Sequence, residues 1–155
     1  MLRLIPAPIH RQLYRLADTL RKLWWRVRKP PLTGVAVIAT DLQGRLLLVR
    51  LSYGSGGWNL PTGGVRRSED LEAAARRELL EETACEAGKL TLLGVQEDRI
   101  HGTDNNVHVF ATKVSGQPSA DMREVIEARF FPTHSLPEPL TDTTRRRLKL
   151  LESVG

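Results

Sequence analysis

Apolar residues recur along this chain with two different periods, and the points where the period changes mark out its elements. Ile9, Leu13, Leu16, Leu20, Leu23, Trp24 and Val27 return at steps of three and four, which predicts an amphipathic helix ended by Pro30 and Pro31. From Leu32 the pattern becomes β-rich. LTGVAVIAT through Thr40, a turn at 41–44 and RLLLVRL through Leu51 read as the two strands of a hairpin. Residues 52–57 are small and flexible in composition, and Gly56 and Gly57 would let this segment move over a ligand. Trp58, Asn59, Leu60 and Pro61 then lead into a turn at Gly63 and Gly64, followed by a helix. Beyond that helix, residues 89–97, 107–114 and 125–131 read as strands, with a polar loop over 98–106. Residues 141–151 read as a closing helix, capped by Thr141 or Asp142 and offering Leu148, Leu150 and Leu151 for packing. Periodicity by itself supports an α/β or α+β domain.

The helix after the glycines changes the picture, because it places Glu78, Glu81 and Glu82 at i, i+3 and i+4. On an α-helix these project within an arc of about 100°, so their carboxylates converge. A solvated acidic face is the ordinary meaning of such a run. Here Leu71, Ala74 and Ala75 occupy the same side, so a packing stripe continues as an acid cluster that needs a counter-charge. Arg77 can neutralise one of the three acids as an orienting residue. The remaining negative charge suits a hard divalent cation with oxygen ligands, Mg²⁺ or Mn²⁺. Ser68 fits as the N-cap of this helix, with Glu69 and Asp70 favouring the positive end of its dipole.

The order Gly63, five residues, Glu69, seven residues, Arg77, Glu78, Leu79, one residue, Glu81, Glu82, one residue, Ala84, Cys85 closely resembles the Nudix box. The family's pattern has glycine where this chain has Ala84 and a bulky apolar residue where it has Cys85. Thr62 and Ser68 also replace glycines frequent in the family. A glycine just past a helix supplies a left-handed residue, and alanine there costs on the order of 1 kcal/mol if that conformation is kept. The simpler expectation is a different helix exit.

The resemblance implies an α/β/α sandwich with a mixed β-sheet, here preceded by an N-terminal amphipathic helix, so that residues 1–30 form the appendage and 31–155 the hydrolase domain. It also implies a diphosphohydrolase of a nucleoside diphosphate linked to another moiety, with water attacking a pyrophosphate phosphorus. Glu78, Glu81 and Glu82 are then the metal ligands, and with Arg77 they form the catalytic set. Glu81 is the first choice of base, with Glu97, Asp98, Asp104, Glu124 and Glu127 as loop acids that could replace it or add a ligand. Glu69 is a supporting residue that pairs with an arginine or supports the turn, with direct metal binding as the alternative. Gly63, Gly64, Arg50 and Trp58 are candidates for substrate contact, with Arg66 and Arg67 as further phosphate contacts and Tyr53 and Phe131 as stacking partners. His101, His108 and His134 lack a metal-ligand spacing. The alternative function is a non-catalytic nucleotide-sensing or RNA- or protein-binding module of the same fold.

Composition narrows the setting. One cysteine, Cys85, excludes an intramolecular disulfide and suits a core position in a reducing cytoplasm. No apolar run approaches the ~20 residues that span a bilayer. The net charge of +5 hides an asymmetry: residues 1–30 carry eight Lys/Arg against the single Asp18, a charge of +7 that leaves −2 for the rest. Such a helix can pack its stripe on the domain, form a homodimer, or contact RNA or anionic membrane.

Overall fold

The computed structural model describes residues 11–20, 32–100 and 103–154. Its centre is strand β1 (Leu32–Thr40), in which Val35, Val37 and Ala39 alternate with Ala36 and Ile38 and all five are buried. Alternating residues of a strand face opposite sides of a sheet, so a strand apolar at every position needs cover on both. Helix α2 (Leu71–Thr83) supplies one cover: Val35, Val37, Ala39 and Leu47 pack with Ala74, Ala75, Leu79 and Cys85. On the other face Ala36, Ile38, Leu46, Leu48, Val107 and Val109 form a second cluster, against which Leu148 and Leu150 of α3 (Asp142–Val154) pack. The result is the expected α/β/α sandwich.

The sheet is mixed. β1 runs parallel to β7 (Thr103–Ser115) over nine residue pairs, Leu32 opposite Asn105 through Thr40 opposite Lys113. β2 (Leu46–Leu51) meets β1 only at Thr40 and Leu46, and its main partner is β8 (Val125–Phe131). The expected hairpin therefore opens after one pair, which leaves the middle of β1 free for β4 (Thr62–Gly64). Gly63 and Gly64 thus sit in a short strand and not in a turn: Gly63 is opposite Val35 and Gly64 opposite Gly34. The predicted polar loop over 98–106 is also corrected. β6 (Thr91–Ile100) and β7 extend through it as an antiparallel pair, with Asp98 opposite Asn105, both buried. Two further short strands, β3 (Trp58–Asn59) on β2 and β5 (Glu86–Ala87) on β7, complete the sheet.

Both ends of α2 differ from expectation. The N-cap is Asp70, whose carboxylate accepts the Ala73 N–H at 3.2 Å, while Ser68 adopts φ 61°. Ala84 keeps the left-handed exit, at φ 62° and ψ 9°, and donates its N–H to Leu80 O at 2.9 Å. The helix therefore ends as a glycine would end it, with a Cβ held in a region that L-residues disfavour. Ala84 is exposed, so a glycine there removes strain without opening a cavity. Ala84→Gly should raise stability by about 1 kcal/mol, or about 3 °C in thermal midpoint for a chain of this size. A calorimetric midpoint equal to or below wild type would contradict this.

α3 starts where expected: Thr141 is its cap, accepting the Thr144 N–H at 3.4 Å. Of the N-terminal helix, residues 11–20 are described, as helix α1. Ile9, Leu23, Trp24 and Val27 of its predicted stripe lie outside the described residues.

Candidate active site

The inward face of α2 carries the acids. Ala75, Leu79 and Glu82 lie on the buried side; Glu82 is only 6 % exposed, Glu78 is largely covered, and the Glu81 side chain is 52 % exposed at the rim. The three residues are therefore not equivalent, although their spacing makes them look so.

Gly63 explains how Glu78 fits. β4 passes so close beneath α2 that a Cβ at position 63 would fall within the Glu78 carboxylate, whereas one at Gly64 would meet nothing within 4 Å. A glycine at 63 thus sets the gap between strand and helix, and its φ is not in the left-handed region.

Arg77 ties the box together. Its Nε donates to Glu69 Oε2 at 2.8 Å, and one terminal nitrogen donates to Glu69 Oε1 and to Gly64 O, both at 2.9 Å. The other terminal nitrogen donates to Glu78 Oε1 at 2.8 Å and reaches Glu81 Oε2 at 3.4 Å. Glu69 Oε1 also accepts the Arg66 N–H at 3.0 Å. These bonds hold the Glu69 carboxyl down at about 2 and push the Arg77 guanidinium further up. Planar, bidentate pairing of this kind fixes orientation as well as charge. Arg77 positions Glu78 and the strand carbonyl in one frame.

Glu82 is left with less. Its one backbone partner is the Thr62 N–H, 3.3 Å from Oε2. Burial first, then the nearby charges of Glu78, Glu124 and Asp121, push its carboxyl well above the ordinary range. Burial also raises Glu78 against the opposing pull of Arg77. Among the described residues no three carboxylate, imidazole or thiol side chains already converge as a formed metal site. The donors nevertheless fit a hard cation: a buried carboxylate faced by two others carries unbalanced charge that oxygen-liganded Mg²⁺ or Mn²⁺ would neutralise.

The fold selects among the loop acids. Glu124, on the turn before β8, lies near both Glu78 and Glu82, and its Oε1 accepts the Tyr53 hydroxyl at 2.7 Å. Asp121 Oδ1 shapes that turn by accepting the Arg123 and Val125 N–H groups at 2.8 and 3.0 Å. Asp98 is instead buried against Arg146 and Arg147, Glu127 pairs with Arg50 at 3.0 Å, and Glu97 is exposed. Asp121 escaped sequence reading because it is nearly forty residues from the box, and only the β2–β8 pairing brings its turn under α2.

A cleft of about 230 Å³ opens beside Glu82. Tyr53, Asn59, Leu60, Thr62, Asp98 and Arg147 are among its walls. A roomier cleft, about 590 Å³, lies by the β1–β2 turn and β5, and none of the box acids lines it. Chemistry takes precedence over size here, and the smaller cleft is lined by the buried Glu82. Of the expected substrate contacts, Trp58 is 5 % exposed and packs edge-to-face on Phe131 with centroids 4.8 Å apart. Trp58 is therefore a core anchor and not an open stacking platform. Arg50 lies over its ring at 5.5 Å. Arg66 reaches Glu81 at 3.6 Å. His101 lies outside the described residues.

An α/β/α sandwich whose sheet-facing helix presents a carboxylate cluster beside a cleft defines a Nudix-type domain. The family model of the NUDIX domain matches residues 30–152, and the chain belongs to that family. It is 41 % identical over 63 residues to an RNA pyrophosphohydrolase of Saccharophagus degradans, covering 41 % of this chain and 37 % of that protein. It is also 38 % identical over 81 residues to the oxidized purine nucleoside triphosphate hydrolase of Danio rerio, covering 49 % and 52 %. The chain thus spans about half or less of the length of these curated relatives. Among solved structures, a MutT NUDIX hydrolase from Burkholderia pseudomallei matches with a TM-score of 0.71 and 30 % identity, covering 79 % of this chain and 98 % of that one.

Proposed function

We propose that this chain is a divalent-cation-dependent hydrolase of a nucleoside diphosphate linked to another moiety, cleaving the pyrophosphate link with water. The observation that carries this reading is the buried Glu82, which lines the 230 Å³ cleft and lies within electrostatic reach of Glu78 and Glu124. The names of the relatives, which specify a pyrophosphohydrolase and a triphosphate hydrolase, support it.

Bound Mg²⁺ or Mn²⁺ would supply Lewis acidity and screen the polyanionic diphosphate. Glu78, Glu81 and Glu82 are the residues that would hold it. Glu78 is aimed by Arg77, and Glu82 by the Thr62 N–H. One carboxylate must also take the proton of the attacking water. Of these three, Glu81 has the most open carboxylate, whereas Glu124 Oε1 is already engaged by the Tyr53 hydroxyl. The base is therefore Glu81 in this reading, with Glu124 as a further acid that adjusts charge. A cleft of about 230 Å³ has room for one nucleobase, between Tyr53 and the Asp98–Arg147 pair.

The decisive experiment is a hydrolysis screen with Mg²⁺ and Mn²⁺ over 5′-triphosphorylated RNA, oxidised nucleoside triphosphates, ADP-ribose, dinucleoside polyphosphates and nucleotide sugars, reading phosphate and mononucleotide. Tight nucleotide binding without hydrolysis under either metal would replace the enzyme with a sensing module. For the active substrate, Glu81→Gln should lower kcat by about 100-fold or more, against about tenfold or less for Glu124→Gln. The reverse order would transfer the base to Glu124.

Cation binding should also be visible in stability. The Glu82 carboxyl is raised, so the metal-free fold binds more protons than the unfolded chain between the ordinary carboxylate range and its own higher value. Its stability therefore rises as pH falls through that window. Mg²⁺ at about 100 times its Kd should add about 2.7 kcal/mol at neutral pH, and less as acidification protonates Glu82. A thermal shift independent of pH would count against Glu82 as a ligand.

A further inference from the structure

Helix α1 is docked with its polar face inward. At 100° per residue, Leu13, Leu16 and Leu20 fall within about 60° of one another, and Arg11, Arg15 and Asp18 fall on the opposite side. A helix that merely adds to the core seats its leucines on the domain. Here Arg15 Nε donates to Ser52 O at 3.0 Å, and Arg11, Tyr14 and Asp18 are half-buried. Leu13, Leu16 and Leu20 are 47 %, 56 % and 57 % exposed. The expectation that the stripe packs on the domain is therefore not met over residues 11–20.

We propose that α1 lays this leucine face into the headgroup boundary of an anionic lipid bilayer and holds the Nudix domain at the membrane surface. Charge is the complementary observation: residues 1–30 carry +7 and the remainder −2, so attraction to an anionic surface is concentrated on the segment that bears the exposed leucines. Among the described residues no helix is long and apolar enough to cross a membrane. A second copy is the poorer occupant. Two +7 segments repel, and three half-exposed leucines fall far short of the about 800 Å² per partner that a stable interface buries. RNA phosphates would pair with the arginines and leave the leucines in water. The docking also has a location: Ser52 precedes Tyr53, the residue that holds Glu124, so α1 sits at the lip of the candidate site.

The test is co-sedimentation of the full chain with vesicles of phosphatidylglycerol and phosphatidylcholine in equal parts, against phosphatidylcholine alone, at about 0.1 M and about 1 M salt. Partition should be at least about tenfold stronger on the anionic vesicles and should fall by about tenfold in high salt. A Leu13→Gln, Leu16→Gln, Leu20→Gln variant should lose at least about tenfold in partition while keeping the wild-type thermal midpoint and hydrolysis of soluble nucleotide. Equal partition of variant and wild type, or no uptake on anionic vesicles, overturns the proposal. A dimer in light scattering that the variant abolishes, without vesicle uptake, assigns the face to a second copy. Salt-dependent binding of a single-stranded RNA oligomer without vesicle uptake assigns the segment to RNA.

Discussion

Glu82→Gln is expected to lower kcat/KM by about 100- to 1000-fold, equivalent to about 3–4 kcal/mol, while leaving the metal-free protein as stable as wild type or more so. The two effects share one cause. Glu82 is buried beside Glu78 and Glu124, so its charge costs the fold and is useful only when a cation occupies the site. Glutamine keeps the volume and can still accept the Thr62 N–H, but it removes both the repulsion and the anionic ligand. Steady-state kinetics in Mg²⁺ and calorimetry in chelator measure the two effects separately. Near wild-type turnover would remove Glu82 from the metal site. A midpoint lowered in chelator would mean that the hydrogen bond to Thr62 outweighs burial and repulsion together.

Gly63→Ala should cost about 100-fold in kcat with a stability loss of only about 1–3 kcal/mol. The added Cβ would occupy the place of the Glu78 carboxylate. Glu78 must then swing away, breaking its 2.8 Å bond from Arg77 and leaving the proposed cation site one ligand short. The backbone itself accepts alanine, because the strand conformation at 63 is not left-handed. Gly64→Ala is the matched control. Nothing lies within 4 Å of a Cβ there, so its rate and cation dependence should stay close to wild type. Equal losses in the two variants would point to strand geometry and not to Glu78.

The two glycines show where sequence reading runs out. Adjacent glycines before a helix read as a turn, yet β4 is a strand, because the early parting of β1 and β2 frees the middle of β1 for a second partner. The loop expected over 98–106 failed for a related reason. Its polar residues signalled solvent, but Asp98 is neutralised by Arg146 and Arg147 from α3 and can therefore be buried in an extended strand. Ala84 holds the left-handed exit despite its Cβ, since the Ala84 N–H bond to Leu80 and the burial of Cys85 just beyond it outweigh a local cost of about 1 kcal/mol. In each case a partner distant in sequence overrode a correct local preference.

The sequence by itself determined the acid-bearing helix, the Arg77 within it, the β-rich segment after Pro31 and the charge asymmetry of the N-terminal segment. All of these follow from period, spacing and charge within short stretches. Tertiary structure alone decided which carboxylate is buried and which is open, that Glu124 and Asp121 come within electrostatic reach of Glu82 while Asp98 pairs with Arg146 and Arg147, and which face of α1 meets the domain. Those outcomes depend on strand pairing across tens of residues and on the desolvation of particular side chains, neither of which a local pattern encodes.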